Sequence, residues 1–341
     1  MTALLRPLAA AWGAGVEARL ALYRLGILRV REARRPVVSV GNVAAGGAGK
    51  TPFVLWLAGE LAAGGRHPAI LTRGYGRTSR GTVVVSDGKG TLAPVAASGD
   101  EAAVLARALP NVPIVADADR SRGAEKTLAL RPETGLFLLD DGFSHLALAR
   151  NVEVVLLDAT APDAGGALLP EGRLREPLSS LARADLIVVT KCEQADPSAA
   201  AALAARYAPG VPLFHASTEV TGIFDESGAR VLPEDLPGKT LVAVAGLARP
   251  EAFFATLRSL GVAPAESLPF RDHAPYRPGD LARIERVAAS SGATAVVTTD
   301  KDAVKLEGRC PLPLFRVSVR MRVVETTFAS ELLGRLSRGP S

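Results

Sequence analysis

Residues 37–51, VVSVGNVAAGGAGKT, hold the side chains whose types and spacing point most directly to chemistry. A short β-branched run passes into a glycine-rich turn ending in Gly49-Lys50-Thr51. In such a turn Gly46, Gly47, Ala48 and Gly49 let backbone N–H groups surround phosphate oxygens. Lys50 reaches the outer phosphates, Thr51 offers a hydroxyl to magnesium, and the N-terminus of the following helix adds a favourable field. The strict pattern places glycine at position 44, where this chain has alanine, with Gly46 and Gly47 following. Residues 136–141, LFLLDD, form an apolar run ending in Asp140 and Asp141, the paired carboxylates expected to order magnesium beside a phosphate loop. Residues 185–193, DLIVVTKCE, end in Thr-Lys-x-Glu and lack the asparagine of a guanine-reading Asn-Lys-x-Asp, so guanine specificity is not supported.

These residues need a scaffold that brings strand ends together. Short β-branched runs over 37–40, 69–72, 82–85, 113–115, 136–139, 152–157 and 185–190 alternate with helical stretches, notably at 51–63 and 100–109. That rhythm predicts an α/β fold of P-loop NTPase type, a doubly wound and mostly parallel sheet buried on both faces. Residues 217–238 read as two short strands about the turn Glu226-Ser227-Gly228, followed by a proline-rich joint. Beyond them, strands at 241–245 and 295–299, helices at 250–260 and 279–290, and a closing helix near 325–336 predict a second, smaller α/β domain. The expected division is 1–36 (N-terminal helix), 37–216 (nucleotide domain), 217–239 (linker) and 240–341 (smaller domain).

In the first segment Leu5, Leu8, Trp12, Val16, Leu20, Tyr23 and Ile27 recur at helical spacing, and Arg6, Glu17, Arg24 and Arg31 form a flanking stripe. Seven arginines against two glutamates border the apolar face over residues 1–36. An interfacial helix on an anionic membrane has this pattern, and so does an amphipathic helix packed on its own domain; Gly13 and Gly15 weaken either. Its opening resembles a secretion signal, but Glu17 and Arg19 cut the apolar stretch short. No apolar run reaches the ~20 residues of a spanning helix. Cys192 and Cys310 have no spacing that implies a disulfide framework or zinc site, which fits a reducing compartment. The formal charge of +5 favours anions, but without stacking aromatics or a basic recognition element no nucleic-acid partner is expected.

Taken together, SVGNVAAGGAGKTP (39–52), TRGYGR (72–77), GDE (99–101), LLDDGFSH (138–145), LPEGRLREP (169–177), RADLIVVTK (183–191), FRDHAPY (270–276) and TTDKDAVKL (298–306) resemble, in order and spacing, the lipid A 4'-kinases, or tetraacyldisaccharide 4'-kinases. The resemblance implies a kinase using ATP and Mg2+ on the 4'-hydroxyl of a tetraacyl glucosamine disaccharide 1-phosphate, the lipid A precursor. It also implies peripheral attachment at the cytoplasmic face of the inner membrane through the N-terminal helix. By the same resemblance Asp100 is the candidate general base, with His273 beside it. Glu176 joins Thr51, Asp140 and Asp141 around magnesium, and Arg73 and Tyr75 contact nucleotide or substrate. Lys301 and Asp302 are expected to approach on domain closure, while Arg120 and Arg175 read equally well as structural ion pairs. The chain departs from the family pattern with Ser144 in place of glutamine, Ala102 in place of proline and Ala274 after His273. The competing reading is a GTPase-like P-loop NTPase that drives conformational change or metal insertion; it shares the loop and the paired aspartates but has no need of GDE or DHAPY.

Overall fold

The computed structural model describes residues 5–236 and 240–337, so the last three positions of the expected linker, 237–239, lie outside the described residues. Helix α1 (Arg6–Arg24) opens the chain and is followed by β1 (Val37–Gly41), α2 (Lys50–Ala63), β2 (Pro68–Thr72), β3 (Val83–Asp87), α3 (Val95–Ser98) and α4 (Asp100–Ala108). Next come β4 (Pro113–Ala116), α5 (Arg120–Leu130), β5 (Leu136–Asp140), β6 (Val152–Asp158), β7 (Leu186–Thr190) and α6 (Ser198–Tyr207). The long β8 (Leu213–Phe224) forms a hairpin with β9 (Arg230–Val231). The chain then runs through β10 (Leu241–Ala245), α7 (Pro250–Ser259), β11 (Glu266–Pro269), α8 (Pro278–Ser291), β12 (Ala295–Thr299), α9 (Asp300–Leu306), β13 (Leu314–Val323) and α10 (Phe328–Leu336).

The strands that read as predominantly apolar are the ones that need cover on both faces, because parallel strands are flanked by their own crossover helices. β1, β2, β5 and β7 are buried at every residue. β1 lies between β5 and β6, all parallel, so the residues after β1 and β5 emerge side by side at one sheet edge. Ligands of open α/β sheets bind at that carboxyl edge.

The segment expected to link two domains is instead a structural seam. β8 begins parallel to β7 at Leu213, then from Ala216 to Phe224 runs antiparallel to β13. One continuous sheet therefore passes through both halves. The hairpin about residues 225–229 is present, but its first arm is a strand of 12 residues rather than a short one.

The closing helix, placed by its sequence position with the second half, packs on the first. Phe328 of α10 lies 5.8 Å edge-to-face from Phe53 and 5.4 Å from Trp56, both of α2, and 5.1 Å from Phe214 of β8. Phe328 is 1% exposed. Phe328→Ala is expected to cost about 3–5 kcal/mol of stability through the cavity it leaves. The check is the urea midpoint, and an unchanged midpoint would show that α10 does not seal this core.

Candidate active site

The glycine-rich turn joins β1 to α2 and is braced from outside. Ala45 N–H donates to the Arg173 carbonyl (2.6 Å), and Arg175 N–H donates to that of Val43 (2.8 Å). Ala44 forms a β-bridge with Leu174, and the extended backbone of a bridge accommodates a side chain, which explains the missing glycine. Gly49 caps α2 at φ 76°, and a Cβ there would lie 2.9 Å from the Met321 side chain of β13, so only glycine fits without strain. The Thr190 hydroxyl, at the end of β7, donates to the Ala48 carbonyl at 2.9 Å. Lys50 Nζ donates to Asn42 Oδ1 at 3.1 Å and lies 3.5 Å from Asp141. Thr51, in the first turn of α2, is half-buried.

Asp140 and Asp141 leave β5 in different electrostatic states. Asp140 is buried and accepts from the Thr72 hydroxyl at 3.1 Å. Burial, reinforced by the charges of Asp141 and Glu101, raises its pKa to about 6 despite Lys50 and Thr72. Asp141 has φ 52°, which turns it away from the strand. Burial works against its charge, but paired hydrogen bonds from Arg175, at 2.7 and 2.9 Å, and the nearby Lys50 outweigh that and hold it well below the usual carboxylate range. Arg175 also donates to Asn42 Oδ1 at 2.6 Å. Among the described residues no cluster of three or more His, Cys, Asp or Glu is assembled to cage a metal. Magnesium beside phosphates does not need one, because it is held by one or two carboxylates, water and the phosphates themselves. A buried carboxylate whose charge is disfavoured next to a second carboxylate and a hydroxyl suits a cation.

The same imbalance predicts a stability effect. The folded pKa of Asp140 is raised, so its charge costs stability in full above about pH 6, and that cost fades as pH falls towards the unfolded value of 3.8. Asp140→Asn should therefore stabilise the ligand-free protein at pH 8 by on the order of 2–3 kcal/mol and change little at pH 4. Calorimetric melting at the two pH values checks this; an equal effect at both would mean Asp140 carries no burial penalty.

A second cluster lies where α4 of the first half meets α9 and the 270–276 loop of the second. Asp100 is the first residue of α4. The preceding Gly99 has φ 88°, and a Cβ there would lie 2.5 Å from the Tyr75 carbonyl, so glycine lets the 72–77 loop lie against this helix start. Asp100 Oδ2 lies 3.3 Å from His273 Nδ1 and accepts from Lys305 Nζ at 3.1 Å. Burial opposes the Asp100 charge, but His273 and Lys305 prevail and lower its pKa. The Asp100 hydrogen bond raises that of His273, against burial and Lys301. His273 Nε2 is 3.6 Å from Glu101 and 3.3 Å from Lys301, which also donates to Asp272 at 2.8 Å. The Tyr75 ring centroid is 5.3 Å from that of His273. Glu101 connects the clusters, since its charge is felt at both Asp140 and His273.

The structure thus brings Lys50 to Asp141 and Asp100 to His273. It places Glu176 differently from a free metal ligand: its two oxygens accept from Ser144 (2.6 Å) and Arg183 (2.7 Å). Arg73 is exposed, as is most of Tyr75. Sequence reasoning passed over Asn42, Thr72 and Lys305 and undervalued Arg120 and Arg175. Arg120 is 3% exposed and its pKa falls to about 10, chiefly through burial, with Arg73 adding to that and the charges of Asp140 and Asp141 opposing it. Arg175 and Lys305 both lie inside matched motifs, which was the available signal.

A glycine-rich turn with its lysine on one half and a carboxylate–imidazole pair contributed jointly by both halves form an arrangement that an ATP-dependent P-loop kinase can use. The family described as LpxK: Tetraacyldisaccharide-1-P 4'-kinase matches this chain over residues 1–337. The tetraacyldisaccharide 4'-kinase of Anaeromyxobacter dehalogenans (strain 2CP-C) is 44% identical over 317 residues, which is 91% of this chain and 82% of that one. That of Geobacter metallireducens is 41% identical over 307 residues, 89% and 88% of the two chains. The solved structure of LpxK from Aquifex aeolicus in complex with ATP superposes with a TM-score of 0.79 at 30% identity, covering 98% of this chain and 99% of that one. The chain belongs to the tetraacyldisaccharide 4'-kinase family, and its activity is ATP-dependent phosphorylation of the lipid A disaccharide precursor. Conformational work by a GTPase-like P-loop NTPase is not favoured.

Proposed function

We propose that Asp100 takes the proton of the 4'-hydroxyl as it attacks the γ-phosphate of ATP, and that the membrane face of the site is set by α1. The carrying observation is the meeting of Asp100 with His273 across the two halves, at 3.3 Å. An alcohol is a weak nucleophile at neutral pH, so a positioned carboxylate that is already ionised lowers the barrier. His273, at the side of Asp100, fixes the orientation of its carboxylate. Backbone amides of Gly46, Gly47, Ala48 and Gly49, with Lys50, bind the phosphates and hold the γ-phosphate for in-line transfer. Thr51, Asp140 and Asp141 are the residues for Mg2+, with Glu176 joining them only on release from Arg183; when bound, the ion neutralises charge on the β and γ oxygens. Arg73 and Tyr75, exposed beside His273 and Arg120, are assigned to nucleotide or acceptor contact.

α1 carries Leu8 and Leu22 exposed, and Leu25, Ile27 and Val30 continue the apolar edge just beyond it. Arg6, Arg24, Arg29 and Arg31 are exposed around them. No helix of the described residues is long and apolar enough to cross a membrane, so we assign this edge to lying on an anionic surface. α1 is tied to the site: Arg6 pairs with Glu171, the Trp12 indole donates to the Arg175 carbonyl at 2.9 Å, and Arg19 donates to the Ser144 carbonyl at 2.8 Å. A bilayer under α1 would therefore present acyl chains beside the phosphate loop, at the cytoplasmic face where ATP is found.

The test uses anionic phospholipid vesicles carrying the tetraacyl disaccharide 1-phosphate and γ-labelled ATP. Label should pass to the sugar. The triple variant Leu8→Glu, Leu25→Glu, Ile27→Glu forfeits burial worth ~1.5–3 kcal/mol per side chain; it should lose flotation and vesicle-dependent transfer yet retain transfer to detergent-dispersed acceptor. Flotation equal to the unaltered protein would remove α1 from this role, and label appearing only as free phosphate would remove the kinase step.

A further inference from the structure

We propose that Lys305 is a positioning residue for Asp100: a buried cation of α9 that reaches across to α4 and holds one oxygen of that carboxylate, leaving the other for the acceptor's proton. This rests on the reading of Asp100 as the base. Lys305 is 6% exposed, and a lysine removed from water costs several kcal/mol unless it is paired. Its partner within α9 is Asp302, at 3.2 Å and fully buried, with the Tyr276 ring centroid 5.3 Å away. Asp302 has other support, because its Oδ2 accepts from Gly246 N–H and the Thr299 hydroxyl, both at 2.9 Å. An apolar side chain at 305 with a neutral one at 302 would fill this place without buried charge. The charge that is kept here reaches Asp100 Oδ2 at 3.1 Å, 205 positions away in the chain.

The geometry at Asp100 is directional. His273 and Lys305 both address Oδ2, and Oδ1 has no hydrogen bond among the described residues. Two donors on one oxygen fix the plane of the carboxylate and keep it ionised. The charged groups around it are His273, Asp272 and Lys301 from the loop and α9, Lys305 and Asp302 from α9, and Glu101 from its own helix. Arg107 of α4 pairs with Glu307 just beyond α9, so the same helix–helix contact that supplies Lys305 is closed at its far end. Base competence is thereby made conditional on docking of the second half.

The experiment compares kcat and KM for ATP at pH 5.5 and pH 8 in Lys305→Met, Lys305→Arg, the double variant Asp302→Asn/Lys305→Gln and Asp100→Asn, with melting curves for each. Loss of a cation this close raises a carboxyl pKa by roughly 1–3 units. Lys305→Met and the double variant should therefore show a kcat deficit roughly threefold deeper at pH 5.5 than at pH 8, with KM for ATP unchanged and most of kcat restored by Lys305→Arg. The double variant removes both buried charges and decides the matter if Lys305→Met does not fold. An inactive Asp100→Asn beside folded Lys305 variants of unaltered kcat, or of equal loss at both pH values without rescue by arginine, overturns the role of Lys305 and leaves the base in place. Failure of both Lys305→Met and the double variant to fold overturns it too, making Lys305 structural. A fully active Asp100→Asn sinks the base assignment and the role of Lys305 with it.

Discussion

Lys50→Ala should lower phosphoryl transfer by roughly 10³-fold, the scale seen when a cation on the transferring group is lost. Lys50 is the side-chain cation of the glycine-rich turn itself, and in the ligand-free arrangement it rests on Asn42 and Asp141 rather than packing into a core. Its loss should leave the fold intact, because Asp141 retains its two hydrogen bonds from Arg175. The variant should melt close to the unaltered protein and bind ATP more weakly, with what binds reacting slowly. Transfer of label from γ-labelled ATP under saturating nucleotide separates the two effects. A normal rate at saturation would mean that another cation gathers the charge of the moving phosphoryl group, and Arg120 and Arg175 would be the groups to replace next.

Asp100→Asn is the second large effect, with kcat falling about 10²- to 10⁴-fold and KM for ATP little changed. Asparagine keeps the size of aspartate and an oxygen to accept from Lys305, so geometry survives while basicity is lost. Because the folded pKa of Asp100 lies below its ordinary value, the unaltered enzyme should show no loss from this group as pH falls from 8 to 6; the carboxylate stays ionised throughout that window. His273→Gln should cost less than Asp100→Asn, since it removes an orienting partner and leaves the base. If Asp100→Asn retains the rate, the hydroxyl loses its proton to solvent or to the phosphate, and the carboxylate–imidazole pair is only a fastening between the halves.

The parts legible from sequence were those settled within a few residues. The run 37–51 reads as strand, turn and helix because β-branched residues, glycines and a following amphipathic stretch each constrain their own backbone. β10 and β12 lie at the bounds expected, 241–245 and 295–299, for the same reason. β13 was passed over although LFRVSVRMRV alternates, and β11, at four residues, is too short for a pattern to declare itself. α10 was recognised as a helix, but nothing in its own residues says that Phe328 seats on Phe53, Trp56 and Phe214.

The candidate site divides along the same line. The identities of Lys50, Thr51, Asp140, Asp141, Asp100 and His273 could be proposed from motifs alone. The partnership of Asp100 with His273 spans 173 positions and that of Asp100 with Lys305 spans 205, and no local preference encodes either. They follow from β8 and β13 joining two half-sheets into one, which sets α9 against α4. By itself the sequence determined the phosphate loop, the paired carboxylates and the α/β rhythm, because each depends on steric and hydrogen-bonding preferences within one turn or strand. The tertiary structure alone decided that Glu176 is occupied by Arg183 and Ser144, that Arg175 clasps Asp141 and that Lys305 of the second half meets Asp100 of the first, because burial and pairing of charge are properties of residues brought together from distant parts of the chain.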